Sequence, residues 1–268
     1  MPSTLDPEIL KGIFALFKGD SGSGKSVGAL SWPDAHVSDF DKKMPAISLK
    51  HFPKKAVAYD TYKDIFAVSD KLEEWWIGGC PYETLIADSV TSLSQLCLTS
   101  TATLKGEETP KMLKKLQTTR GGGGQVEMMS IDYYNAEDRF IKYYLDVLKA
   151  LWARDGKPKN VIVIAHVLSS ESQPDLKTKM ITKSRSILTA GRKVAAYIPA
   201  QFDDVWHFGF MRPELGASDE RVKHVVTTEA FGDDSAKTAY NLPSVIDFTR
   251  KSLYDEVLKY LGPRVPTL

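Results

Sequence analysis

The sequence predicts an α/β domain in which a mainly parallel sheet is covered by helices on both faces, with a β-rich C-terminal segment. Three observations carry this. Short apolar runs suited to buried strands alternate with longer amphipathic stretches, a glycine-rich turn joins the first run to a helical stretch, and another apolar run ends in an acid. A chain of 268 residues fits one such domain spanning residues 1–268, because neither an internal repeat nor a clear linker divides it.

The first expected strand is Ile13 to Lys18, and the turn after it reads Gly19-Asp20-Ser21-Gly22-Ser23-Gly24-Lys25-Ser26. This is a complete G-x-x-x-x-G-K-[ST] loop in its required setting, between a buried strand and the amphipathic stretch Val27 to Leu30. Such a turn aims successive backbone N–H groups at phosphate, and a helix expected over Ser26 to Leu30 adds its positive end. Lys25 reaches the β and γ phosphates, while the Ser26 hydroxyl ligates Mg²⁺.

Further strands are expected at Ala35 to Phe40, Ala56 to Tyr59, Thr84 to Asp88, Asn160 to His166 and Val205 to Phe210. Helices are expected over Thr61 to Ile77 and Ile131 to Arg154, the latter repeating Phe140, Tyr144, Val147, Leu148 and Leu151 on one face. Beyond the Pro213/Gly216 turn, Arg221 to Ala230 reads as β-rich and Ser252 to Leu261 as a closing helix. The strand Thr84 to Asp88 has the Walker B pattern, an apolar run whose terminal carboxylate sits beside the phosphate loop and holds Mg²⁺. Asp88 is therefore paired with Ser26 as the metal site.

Composition narrows the partners. A formal charge of +1 gives no global bias toward nucleic acid, so any such site depends on local charge. One run supplies it: Lys177, Lys179, Lys183, Arg185, Arg192 and Lys193 occur with no acid among them, interleaved with Thr and Ser. These groups suit phosphate contacts that set affinity without reading base sequence, whereas stacking aromatics are missing from the run. A second basic stretch, Lys105 to Gln125, ends in four glycines. Cys80 and Cys97, the two cysteines, form no C-x-x-C or His/Cys cluster, which argues against structural zinc and a disulfide framework. No apolar run is long enough to span a membrane, and the N-terminus has no signal-like segment, so the expected location is the cytoplasm.

The loop at Gly19 to Ser26, Asp39 to Asp41, the segment Tyr82 to Leu93 with Asp88-Ser89, Val161 to His166, and Lys237-Thr238 before Asn241-Leu242-Pro243 together resemble phage RecA-like P-loop ATPases. The similarity is to the Sak/AAA-type group associated with single-strand annealing and recombination. It implies a RecA-like core, ATP and Mg²⁺ as cofactors, hydrolysis stimulated by DNA, and nucleotide-dependent binding of single-stranded DNA through the Lys177 to Lys193 loop. A carboxylate after the second strand would orient the attacking water; Asp41 matches best by position, with Asp39 the alternative, although that family commonly has Glu. His166 would sense the γ phosphate, and Lys237, with Arg250 and Lys251 behind it, would be supplied to a neighbour's site in a ring or filament of identical subunits. Relatives often have Lys-Thr-Arg where this chain has Lys237-Thr238-Ala239. A single-strand-binding protein is a further expected partner, and phage origin would place the protein in the host cytoplasm. A hexameric helicase or helicase loader, and a nucleotide-gated DNA scaffold with negligible turnover, are the alternatives this core leaves open.

Overall fold

The computed structural model describes residues 12–104, 131–154, 156–171, 183–211, 222–230 and 235–261. The Lys105 to Gln125 stretch and residues 172–182, which include Lys177 and Lys179, lie outside the described residues. In chain order the elements begin β1 Phe14–Gly19, α1 Lys25–Ala29, β2 Ala35–Asp39, α2 Met44–His51, β3 Ala58–Asp60, α3 Ile65–Gly78, β4 Thr84–Asp88 and α4 Val90–Leu104. They continue with α5 Ile131–Ala153, β5 Asn160–Glu171, β6 Lys183–Ile187, α6 Arg192–Ala200, β7 Asp204–Met211, β8 Lys223–Thr227, β9 Val245–Asp247 and α7 Leu253–Leu261.

The sheet order is β3-β2-β4-β5-β1-β7-β8-β9, with β6 paired to β5. Strands β3 through β7 on this path run parallel, and β8 and β9 close it antiparallel. Because β5 lies between β1 and β4, the phosphate-loop strand and the Walker B strand are separated by one strand, the arrangement of a RecA-like core. The β-rich C-terminal segment expected from sequence is this antiparallel closure.

Side chains alternate across β1, so each face feeds its own core. Phe14 and Leu16 join Leu85, Val161 and Val163 under α3, α4, α5 and α6, while Ile13, Ala15 and Phe17 join Ile86, Ile162 and Ile164 with α1 and α7. On the second face Phe17 stacks on Trp206 at 5.1 Å and meets Phe208 at 4.8 Å, with Trp32 edge-on at 5.6 Å. Among the described residues no helix is long and apolar enough to cross a membrane.

Two departures from the sequence expectations affect the site. First, β5 does not end at His166. It runs on to Glu171 and pairs antiparallel with β6, from Val167 opposite Ile187 to Glu171 opposite Lys183. The extension lacks the continuous apolar character of Val161 to Ala165 because it leaves the core, and its backbone hydrogen bonds are met by β6 instead of the central sheet. From Lys183 the basic run therefore lies on a ribbon, with Arg192 and Lys193 carried in the first turn of α6. Second, α2 occupies a stretch not expected to be helical. Met44 is its buried residue, and it begins with Pro45 near its N-terminus, a position where a missing N–H costs nothing.

Phe17→Ala removes the ring around which Trp32, Trp206 and Phe208 pack. We expect it to lower unfolding stability by about 3–5 kcal/mol, measured by denaturant titration.

Candidate active site

The chemistry gathers at the C-terminal ends of β1, β2, β4 and β5. Parallel pairing brings these ends level: Gly19 is opposite His166, and Asp39 is opposite Asp88. The loop after β1 is shaped by glycine. Gly24, the N-cap of α1, has φ 95°, and a Cβ there would lie 3.2 Å from both His224 Nδ1 and Phe248 Cζ. Helix α1 is only five residues long, so the cradle is chiefly the loop's own backbone.

Lys25 is buried at 4 % exposure. Its ammonium donates to the carbonyl oxygens of Gly19 at 2.9 Å and Asp20 at 2.7 Å, with Ser23 Oγ and His166 Nδ1 each 3.4 Å away. Burial lowers its pKa to about 8 against the raising effect of Asp88, Asp20 and Asp41. A bound polyphosphate would offer this buried cation acceptors of far greater charge than two carbonyls.

Ser26 Oγ donates to Asp88 Oδ2 at 2.6 Å. Burial pushes the Asp88 carboxyl up to about 6, the Ser26 bond opposing and the nearby carboxylates of Asp41 and Asp39 adding to it. The Asp88–Ser89 peptide is cis. A hydroxyl and a carboxylate this close are hard oxygen donors at the loop floor, and they fit a small divalent cation that takes its other ligands from phosphate and water.

The structure separates the two carboxylates that follow β2. Asp39 accepts from the backbone N–H groups of Lys43 at 3.2 Å and Met44 at 2.8 Å, so it caps α2. Asp41 instead faces the phosphate cavity. Ser89 Oγ donates to its Oδ1 at 3.2 Å, Ser92 Oγ donates to the same oxygen, and His166 Nε2 stands 3.8 Å from Oδ2. Burial alone would raise its pKa, yet the contacts of His166 and Ser92 and the charge of Lys43 hold it well below the usual carboxylate range. Such a group orients a water molecule by accepting its hydrogen bond more readily than it removes a proton.

His166 links these groups. With the Lys25 ammonium donating toward Nδ1, the ring proton belongs on Nε2, which faces Asp41. Its backbone N–H donates to Thr91 Oγ1 at 3.1 Å, and its carbonyl accepts from Leu188 N at 2.8 Å.

Lys25, Ser26, Asp41, Asp88 and His166 all line one cavity of about 750 Å³. The cavity continues past Val27 to Ile47, Lys50 and His51 of α2 on one side, and to His224, Phe248, Thr249, Arg250 and Lys251 on the other. Of this outer wall, sequence reading had singled out only Arg250 and Lys251, as cations for a neighbour. His224 lies on β8 and Phe248 follows β9, and no local pattern marks them as meeting Gly24.

The remaining candidates lie elsewhere. Arg185 Nη1 is 3.4 Å from His207 Nε2, and Arg185 and Arg192 line a second cavity of about 730 Å³ with Lys18. Lys193 is exposed beside Arg192, and Lys183 opens β6. Lys237 is exposed and makes an antiparallel bridge to Val205, whose parallel partner on β1 is Leu16. It therefore sits below the loop end of its own sheet and outside its own phosphate cavity.

The profile of the AAA domain matches residues 11–232, which include the phosphate loop, Asp41, Asp88 and His166. The chain belongs to the AAA-domain family. A KaiC-like protein from the hyperthermophilic archaeon Pyrococcus horikoshii is similar in structure, with 10% identity, a TM-score of 0.41, and coverage of 87% of this chain and 88% of that one. No curated protein matches. Membership of the AAA-domain family makes the chain a RecA-like P-loop ATPase. The cavity is one continuous space from the phosphate loop to α2 and the β8–β9 wall.

Since Asp39 caps α2 while Asp41 faces the cavity, Asp39→Ala is expected to lower unfolding stability by about 0.5–2 kcal/mol. Thermal denaturation of the variant checks this.

Proposed function

We propose that this AAA-domain protein hydrolyses ATP and, in the nucleotide-bound state, binds single-stranded DNA to promote annealing or strand pairing in recombination of the phage type. The observation that carries the reading is His166. Its side chain stands between Lys25 and Asp41, while its carbonyl is the first anchor of the basic ribbon through Leu188 N. A change at the terminal phosphate thus reaches the base of the ribbon through one residue.

In the catalytic cycle Lys25 exchanges the Gly19 and Asp20 carbonyls for the β and γ phosphates. Ser26 and Asp88 would hold Mg²⁺, which when bound neutralises charge on the phosphate oxygens. Asp41, fixed by Ser89, Ser92 and His166, accepts a hydrogen bond from the attacking water and points its oxygen at the γ phosphorus. The new P–O bond forms as the bond to the bridging oxygen breaks. Positioning and charge, not covalent chemistry by the protein, supply the rate.

The DNA track runs along Lys183 and Arg185 of β6 and Arg192 and Lys193 of α6, with Lys177 and Lys179 from the same run. Cations in a helix's first turn oppose its dipole, so Arg192 and Lys193 are poorly placed for helix stability and well placed for a phosphate. A homo-oligomer follows from the same logic. Lys237 does not line its own phosphate cavity and would serve the γ phosphate of a neighbour, and a single-strand-binding protein would deliver DNA to the assembly in the cytoplasm.

Lys25→Ala is expected to weaken Mg-ATP binding at least about a hundredfold in a folded protein. Asp41→Asn should keep binding and lower turnover by about 10²- to 10⁴-fold, separated by equilibrium titration and steady-state ATPase assays. Unchanged affinity in the first variant, or unchanged turnover in the second, rejects the corresponding role.

Binding to single strands should be weakly dependent on sequence and fall steeply with salt. Replacing Lys179, Lys183 and Arg185 together by Glu should abolish it at moderate salt while leaving ATP affinity within about twofold. Fluorescence anisotropy with a labelled oligonucleotide decides this. Undiminished binding by the triple variant removes the ribbon from the function.

A further inference from the structure

Among the cations that line the phosphate cavity besides Lys25 is Lys43, which the reading above does not use. Lys43 is the N-cap of α2, and its Nζ lies 3.6 Å from Asp41 Oδ2 although 64% of its side chain is exposed. Its backbone is fixed. Asp39 accepts its N–H, Met44 after it is buried, and Lys42 before it turns the chain with φ 57°. The side chain, by contrast, is fastened at its tip alone.

Asp41 does not depend on Lys43 to stay in place, because Ser89 and Ser92 hold its Oδ1 and His166 stands beside its Oδ2. What Lys43 offers is charge. Asp41 and Asp88 both line the end of the cavity where the terminal phosphate would sit, and a phosphate brought beside them is repelled unless a cation stands between. Lys25 lies on the loop side of that position. Lys43 approaches from the β2 side, close enough to Lys25 that its charge helps to lower the Lys25 pKa.

We propose that Lys43 is a same-chain cation for the terminal phosphate, which leaves Asp41 for a phosphate oxygen when a nucleoside triphosphate enters and so distinguishes triphosphate from diphosphate. This rests on the nucleotide reading of the cavity and deepens it. Transfer of Lys43 from the carboxylate to the phosphate would also free Asp41 Oδ2 to accept from water. A diphosphate ends before this point, and the Lys43–Asp41 pair then stays closed.

The test is calorimetric titration of the full chain, with Mg²⁺ present, by ADP and by an ATP analogue whose β–γ bridge is nonhydrolysable. Lys43→Gln should weaken the analogue by about ten- to a hundredfold, the range of a charge-assisted hydrogen bond, and leave ADP within about twofold. Lys43→Arg should restore most of the preference, since it keeps the charge. An unchanged analogue-to-ADP ratio in K43Q, or an equal loss for both nucleotides, overturns the proposal while the nucleotide site stands. A parent protein that binds neither nucleotide overturns both.

Discussion

Strand β1 is hydrogen-bonded on both edges, to β5 and β7, and buried on both faces, and the position of every chemical group follows from that. A strand so enclosed cannot shift register without exposing its entire apolar set. The loop that leaves it at Gly19 is thereby held against the ends of its neighbours, where a Cβ on Gly19 would lie 2.3 Å from the Phe208 carbonyl. Parallel strands deliver their C-terminal ends to one edge of the sheet, and this gathers Asp41, Asp88 and His166 around Lys25 although more than a hundred residues separate the first from the last.

The same arrangement connects the cavity to more distant parts through short, buried contacts. Thr91, in the first turn of α4, accepts the His166 N–H at the point where β5 leaves the core. One turn later Ser94 accepts the N–H of Ala190 at 2.9 Å and donates to the buried carboxylate of Glu137 at 2.6 Å. Helix α4, which starts at the Walker B strand, therefore holds both β5 and the turn that leads from β6 into α6. Burial raises the Glu137 pKa, and the bonds from Ser94 and from the backbone of Ala190 and Gly191 offset it. Any displacement of α4 would therefore disturb its bonds to β5, to Ala190 and to Glu137 together.

What could be read from the sequence was the part whose physics is local. The apolar runs in β1, β4 and the first half of β5 announce buried parallel strands, and the loop residues carry their own geometry, so the cradle and Asp88 were legible. Strand β6 was not, because Lys183-Ser184-Arg185-Ser186-Ile187 is an otherwise polar run ending in the buried Ile187 and is a strand by virtue of pairing with β5. Helix α6 was hidden in the same basic run, with Pro199 near its end. The outer wall of the cavity was illegible for a different reason: His224 and Phe248 contact Gly24 across about two hundred residues of chain, and neither stands in a pattern of its own.

Asp39 and Asp41 show how finely the backbone decides chemistry. Two residues apart in an extended chain, they would point to the same face and be interchangeable. Strand β2 ends at Asp39, however, and the next turn is fixed by the N–H groups of Phe40 and Asp41 converging on the Asp88 carbonyl at 2.8 and 3.4 Å. Phe40 is anchored against Tyr62 and Tyr144 at ring distances of 5.3 and 5.9 Å. Asp39 is left under the start of α2, and Asp41 is pressed against the Walker B strand. That closeness compensates for its length. A carboxylate one methylene shorter than glutamate still reaches the cavity beside His166 because its backbone has been drawn toward the end of β4, so the turn, and not side-chain length alone, sets where this acceptor stands.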